Sequence, residues 1–377
     1  MPLFYPTLFS TWVLRAGSLA ANSITNALNA LKVLFVWEAH VGLDLESLLS
    51  QGELLDENQI RDLSDFLQRS LLTDAGKKVV RINRKPKVVS VSAHYYRLTI
   101  TAKYVEFLAN RVGASRIGAA RIQKMVDTIK ANRPIKPNKS DPDRDDLHLS
   151  EEAIQSIEAA LKPGSPNNPA KDYGVQLRNV LMFFILKSIG IRRGELLNLR
   201  IEDVDFGANT LAVVRRPDSK GDSRKHQPAA KTRPRRLRIA PALINKIKDY
   251  VMDCRNKVPG AKRHGYLFVT HKAGPTQGAP LSLSAFGKWM SELANIVEEA
   301  GFHAHALRHS WNYEFSRIAD EKGMSPAEEE KTRSYFMGWS ETSGTAATYN
   351  RRHIKEKAQQ AGLELQERYM NKPEGGK

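Results

Sequence analysis

The feature that most constrains the fold is an interruption in the middle of the chain. From Asn132 to Ser150 the sequence places Pro134, Pro137 and Pro142 among mixed charges, with little for a core to bury. Such a stretch reads as a linker, and in a chain of 377 residues it separates two domains, each large enough to build its own core. The expected layout is a helical domain over residues 1–131, a linker over 132–149 and a second domain over 150–377. Within the linker, Asp141, Asp143, Asp145 and Glu152 fall at the ligand spacing of a calcium loop. Asp146, however, stands where the tight turn of such a loop needs glycine, so a solvated hinge is expected and no metal.

Both sides of the linker read as helical. Ile24, Leu28, Leu31, Leu34 and Phe35 recur at helical spacing over Thr25–Val41, with Ser23 as the expected cap. Ala93–Val112 repeats that pattern, and the basic stretch Lys77–Lys87 between the two suits a loop. After the linker, Ser150 precedes Glu151 and Glu152 as a helix start, and the apolar helix Tyr173–Ser188 stops at Gly190. Thr210–Arg216 and Arg236–Ile239 read as paired strands joined by a long polar loop. Helices are expected again near Pro241–Arg255, Ser284–Ala300, His305–Ala319, Pro326–Met337 and Ile354–Tyr369. The fold class is therefore mainly α, with a small antiparallel β-sheet in the second domain.

Charge bounds the partner. The 58 Lys and Arg against 41 Asp and Glu leave a net +17, which favours a polyanion, and nucleic acid is the commonest. Cys254 is the single cysteine, so no intrachain disulfide forms and a reducing compartment, the cytoplasm, is expected. The apolar run Val180–Leu186 falls far short of the roughly 20 residues that span a bilayer, so no membrane is expected. Met1–Leu14 is apolar but has no basic residue before Arg15 and no clear cleavage site, and is not read as a signal peptide. No phosphate-binding Gly-x-x-x-x-Gly-Lys motif occurs, and no carboxylate cluster suggests a two-metal site.

Four segments of the second half carry chemistry. Arg192 follows the buried helix in Gly190-Ile191-Arg192-Arg193-Gly194-Glu195, placed to act as a bidentate phosphate clamp. The loop from Arg215 to Arg238 holds 10 basic residues against Asp218 and Asp222. Arg215, Arg216, Lys220, Arg224, Lys225, Arg233, Arg235 and Arg236 of this loop are the expected DNA-backbone contacts, and Lys231 leads into its returning strand. His305 and Arg308, three apart, share a helix face that pairs an imidazole with a fixed cation. Finally, Gly338-Trp339 precedes Tyr349 by ten residues, with Arg351, Arg352 and His353 behind it.

In this order, Arg192, Lys231, His305-x-x-Arg308, Trp339 and Tyr349 resemble the catalytic series of the tyrosine recombinases, the phage integrase family. The likeness covers about residues 150–355 and includes Glu195-Leu196-Leu197 after the first arginine and His309 beside the second. The first half is less specifically similar to the family's core-binding domain.

The resemblance implies a two-domain clamp on double-stranded DNA and a homotetramer in the recombining complex. It implies Tyr349 as nucleophile, a 3′-phosphotyrosyl intermediate and no cofactor. Arg192 and Arg308 then hold the nonbridging oxygens, His305 and Trp339 add hydrogen bonds, Lys231 protonates the leaving oxygen, and Glu195 and His309 support them. Trp339 departs from the family's usual histidine, and its indole N–H has no proton to exchange. Lys220 and Lys225 remain alternatives for the general acid. Two other functions stay open: a type IB topoisomerase-like enzyme that nicks and reseals, and a DNA-binding relative without catalysis.

Overall fold

A computed structural model describes residues 3–16, 21–71, 88–135, 148–216, 219, 221–224, 227–228, 232–297, 302–340 and 345–370. The basic stretch Lys77–Lys87, the aspartates at 141, 143, 145 and 146, and Lys220, Lys225 and Lys231 lie outside these residues. The chain divides into two compact units, Met1–Asp141 and Pro142–Lys377.

The first unit is helical among its described residues: α1 (Phe4–Phe9, continuing in wider turns through Arg15), α2 (Ala21–Val41), α3 (Leu45–Ser50), α4 (Glu57–Gln68), α5 (Val91–Val112) and α6 (Ala119–Ala131). Each start has a local cause. Asp44 caps α3, Ser90 caps α5, and Asp56 and Gln59 cap α4 reciprocally, each accepting from the other's backbone N–H. Ser23, expected as a cap, lies inside α2 instead, because the helix begins two residues earlier. Leu34, Trp37, Leu63, Leu67, Leu98, Val105 and Ile129 meet in the core, and Phe9 packs edge-on against Tyr104 at 5.4 Å.

The second unit opens with α7 (Glu151–Leu161), whose first turn is capped by the Ser150 hydroxyl. Helix α8 (Tyr173–Ile189) is apolar around much of its circumference because it runs through the core. It ends at Gly190 in the left-handed conformation (φ 67°). A Cβ there would also sit 2.8 Å from the Trp311 ring, so glycine is required twice over.

After the short α9 (Arg193–Asn198), strands β1 (Val204–Asp205), β2 (Thr210–Val213) and β3 (Arg235–Arg238) form an antiparallel sheet in that order. Leu211 pairs with Leu237 and Val213 with Arg235. The first expected strand is thus shorter than Thr210–Arg216, and the second starts one residue earlier than expected. Helices α10 (Pro241–Asp249), α11 (Leu283–Ala294), α12 (Ala304–Glu321), α13 (Pro326–Met337) and α14 (Thr345–Met370) complete the unit. Among the described residues no helix is long and apolar enough to cross a membrane.

Candidate active site

Three chain segments meet where α8 ends, and each presents an expected residue. The first is the turn into α9. Glu195 lies in the first turn of α9, and its carboxylate accepts the backbone N–H of Arg192 at 3.0 Å. This fixes the main chain of Arg192 while its half-buried guanidinium stands 3.7 Å from the same carboxylate. Glu195 is 1% exposed. Burial alone would raise its pKa, but Arg235, Thr232 and the Arg192 N–H together hold it below the usual carboxylate range. It is an anion at neutral pH, enclosed by donors.

The second segment is the first turns of α12. Arg308 is 1% exposed and gives one N–H to Gly190 O at 2.6 Å and another to Met337 O at 3.3 Å. Both acceptors are carbonyls at helix C-termini, which attract a cation. The guanidinium also lies 5.3 Å over the Trp339 ring. His305, one turn before Arg308, remains exposed at the surface, and its ring meets that of His309 edge-on at 4.5 Å. Its pKa is pushed down to about 4, first by desolvation on its inner side and then by the cations of Arg308 and Arg192. The imidazole is therefore neutral near pH 7 despite its access to water.

The third segment is the end of α13. Gly338 stops the helix with φ 65°, and Trp339 tucks beneath Arg308, 6% exposed. Arg233 N donates to Gly338 O at 2.9 Å, tying this turn to the approach to β3. Tyr349 lies on α14, in its second turn. The helix starts well before the expected Ile354, so the tyrosine is carried on regular helix.

The expectation that the whole basic loop lines DNA is corrected for three arginines. Arg224 is buried and spent on Asp222, Asn198 Oδ1 and the carbonyls of Leu197 and Leu281. Arg216 forms a bidentate pair with Asp203. Arg235 is buried against Glu195 at 3.0 Å. In each case a nearby carboxylate compensates the charge inside the protein, so the side chain turns inward. Arg215, Arg233 and Arg236 are exposed. Thr232, the neighbour of Lys231, donates a hydrogen bond to Glu195.

The family description "Phage integrase family" matches residues 148–356, more than half of the chain. The tyrosine recombinase XerD of Halalkalibacterium halodurans is 26% identical over 159 residues, covering 42% of this chain. That match spans 45% of the XerD length, so the chain covers less than half of this curated relative. Among solved structures, the XerH site-specific recombinase bound to palindromic difH substrate has a TM-score of 0.53 at 16% identity, covering 94% of this chain and 93% of that one. A Tn1549 transposon integrase in complex with a circular intermediate DNA reaches 0.52 at 14% identity, covering 94% and 100%. At such identities the likeness is one of fold. The family match, together with the tyrosine recombinase relative, identifies the chain as a member of the phage integrase family, the tyrosine recombinases.

Proposed function

We propose that this protein is a site-specific DNA recombinase that cleaves and rejoins strands through Tyr349. The phenolic oxygen attacks the scissile phosphorus, the bond from phosphorus to the 5′-oxygen breaks, and a 3′-phosphotyrosyl ester forms. The ester preserves the energy of the broken linkage, so the reaction needs neither ATP nor a metal. Arg192 and Arg308 bind the nonbridging oxygens where charge grows, and neutral His305 accepts the tyrosine proton. Lys231 returns a proton to the leaving 5′-oxygen. Trp339 acts by position, as a platform under Arg308. Exposed Arg215, Arg233 and Arg236 face the duplex backbone together with the lysines of the loop. The substrate is double-stranded DNA. Exchange between two duplexes needs four such sites, hence a homotetramer on DNA.

One observation carries the reading: Arg192, the His305–Arg308 pair and Trp339, on three segments far apart in sequence, gather where α8, α12 and α13 meet. A nicked duplex whose cleaved end diffuses away traps the covalent adduct and tests it. The wild-type protein should form an adduct of protein with DNA, and Tyr349→Phe should bind the same DNA without forming one. Persistent adduct in the Phe variant would remove Tyr349 from the role.

A further inference from the structure

Arg235 stands at the first position of β3, where strand alternation points it the same way as buried Leu237. An arginine in that direction needs a reason, and its hydrogen bonds supply one. Nη2 donates to Glu195 Oε2 at 3.0 Å, Nη1 to Thr232 Oγ1 at 3.1 Å and Nε to Phe336 O at 2.6 Å. Glu195 in turn holds the Arg192 N–H, while the carbonyl after Phe336 O, that of Met337, is held by Arg308. Two guanidiniums thus grip consecutive carbonyls at the end of α13, and one of them reaches through a single carboxylate to the main chain of Arg192. Gly338 belongs to the same device, because a Cβ there would lie 2.7 Å from Arg235 Nη1.

We propose that Arg235 is a positioning residue: it holds Arg192 and the Arg308–Trp339 pair in one rigid frame, so that both cations meet the same phosphate. This rests on the recombinase reading above. The role needs the planar fork, since three acceptors on three segments lie around one guanidinium, and an ammonium on a flexible stem cannot span them. It also needs burial, which keeps water from substituting for the bonds. Arg235 touches no DNA in this scheme.

The test uses the full chain with Arg235→Gln and Arg235→Lys, the latter keeping a cation beside Glu195. Adduct formation is timed on two nicked duplexes, one with an ordinary scissile phosphate and one with a methylphosphonate there. The methyl group removes the charge that the arginine pair is arranged to meet, so a disordered pair matters less on that substrate. Both variants are expected to bind DNA within about threefold of wild type and to cleave the phosphate at least about 30-fold more slowly, with Lys rescuing poorly. On the methylphosphonate their loss should shrink to about threefold. Cleavage at the wild-type rate overturns the proposal. So does an equal loss on both substrates, or loss of the fold in both variants, which makes Arg235 structural only. A wild-type protein that forms no adduct on either duplex instead refutes the recombinase reading itself, an outcome visible before any variant is compared.

Discussion

Replacing Arg308 by alanine tests the site most directly, because the proposed reading gives the side chain two separable jobs. Its guanidinium is 1% exposed and satisfies Gly190 O and Met337 O, so removal strands two carbonyls in a region closed to water. Each orphaned group costs about 1–3 kcal/mol. A buried charge is removed at the same time, which offsets part of that loss, so a destabilisation of about 2–3 kcal/mol is expected. The chemical effect is separate. A preorganised donor aimed at a developing oxyanion contributes about 3 kcal/mol, so cleavage should slow by roughly 100-fold or more. Thermal unfolding measures the first effect, and single-turnover adduct formation at saturating protein, well below the melting temperature, measures the second. Arg308→Lys should recover some stability but little rate, since an ammonium lacks the fork that spans the two carbonyls and a phosphate. A folded Ala variant that cleaves within about threefold of wild type would show that Arg308 does not meet the reacting phosphate.

Two further outcomes are expected. Lys231→Ala should cleave ordinary DNA at least about 100-fold more slowly but a 5′-bridging phosphorothiolate almost normally, because a thiolate leaves without a proton. Sulfur rescue of Lys220→Ala or Lys225→Ala instead would move the general acid to that residue. His271, its side chain 7% exposed and 3.1 Å from the Tyr250 hydroxyl, is pushed down to about 4 by burial and then by Arg178. Its folded pKa lies below the unfolded value, so its contribution is present above about pH 6.5 and is lost as pH falls toward 4, up to about 3 kcal/mol. His271→Gln should flatten the fall in urea midpoint between pH 7 and 4.5, and an unchanged slope would refute the assignment.

Much of the second unit was legible because its signals are local. Ser150 before paired glutamates, Gly190 after an apolar run and Pro326 at a helix start each state their role in the sequence, and the structure places helix ends at all three. The order of Arg192, His305, Arg308 and Trp339 was readable as a pattern, although their convergence belongs to the tertiary fold. Helices α4 and α6 went unread despite usable signals: the Asp56–Gln59 box, and Ile122, Met125, Val126 and Ile129 at helical spacing. The basic loop misled for a physical reason. A run of arginines looks the same whether each faces a phosphate or a carboxylate, and the carboxylates of Glu195, Asp203 and Asp222 are placed by the fold. Only parity with Leu237 hinted that Arg235 points inward.

The electrostatics of the gathered groups explain why the proposed chemistry suits a phosphate in particular. Arg192 and Arg235 share a single carboxylate, Glu195, while Arg308 is held by main-chain carbonyls, so these groups carry more positive than negative charge before any ligand arrives. The more buried cations, Arg235 and Arg308, are fixed by main-chain acceptors, while Arg192 and His305 stand closer to solvent. Preorganisation of this kind costs nothing at the moment of reaction, because the donors need not reorient. The excess charge also acts on His305. After desolvation, the neighbouring arginines are what hold its protonated form down. A phosphate bound between them screens those cations, and the added negative charge of a pentavalent transition state favours imidazolium directly. In the proposed reaction His305 thus begins neutral, able to take the Tyr349 proton, and becomes a stronger base as negative charge builds on the phosphorus. A histidine held near 6.5 by neutral surroundings would start protonated in about a quarter of the molecules at pH 7, and those could not accept. Beyond desolvation, the depressed pKa of His305 reflects the same positive field of the arginine pair that, in the proposed reaction, a bound phosphate screens.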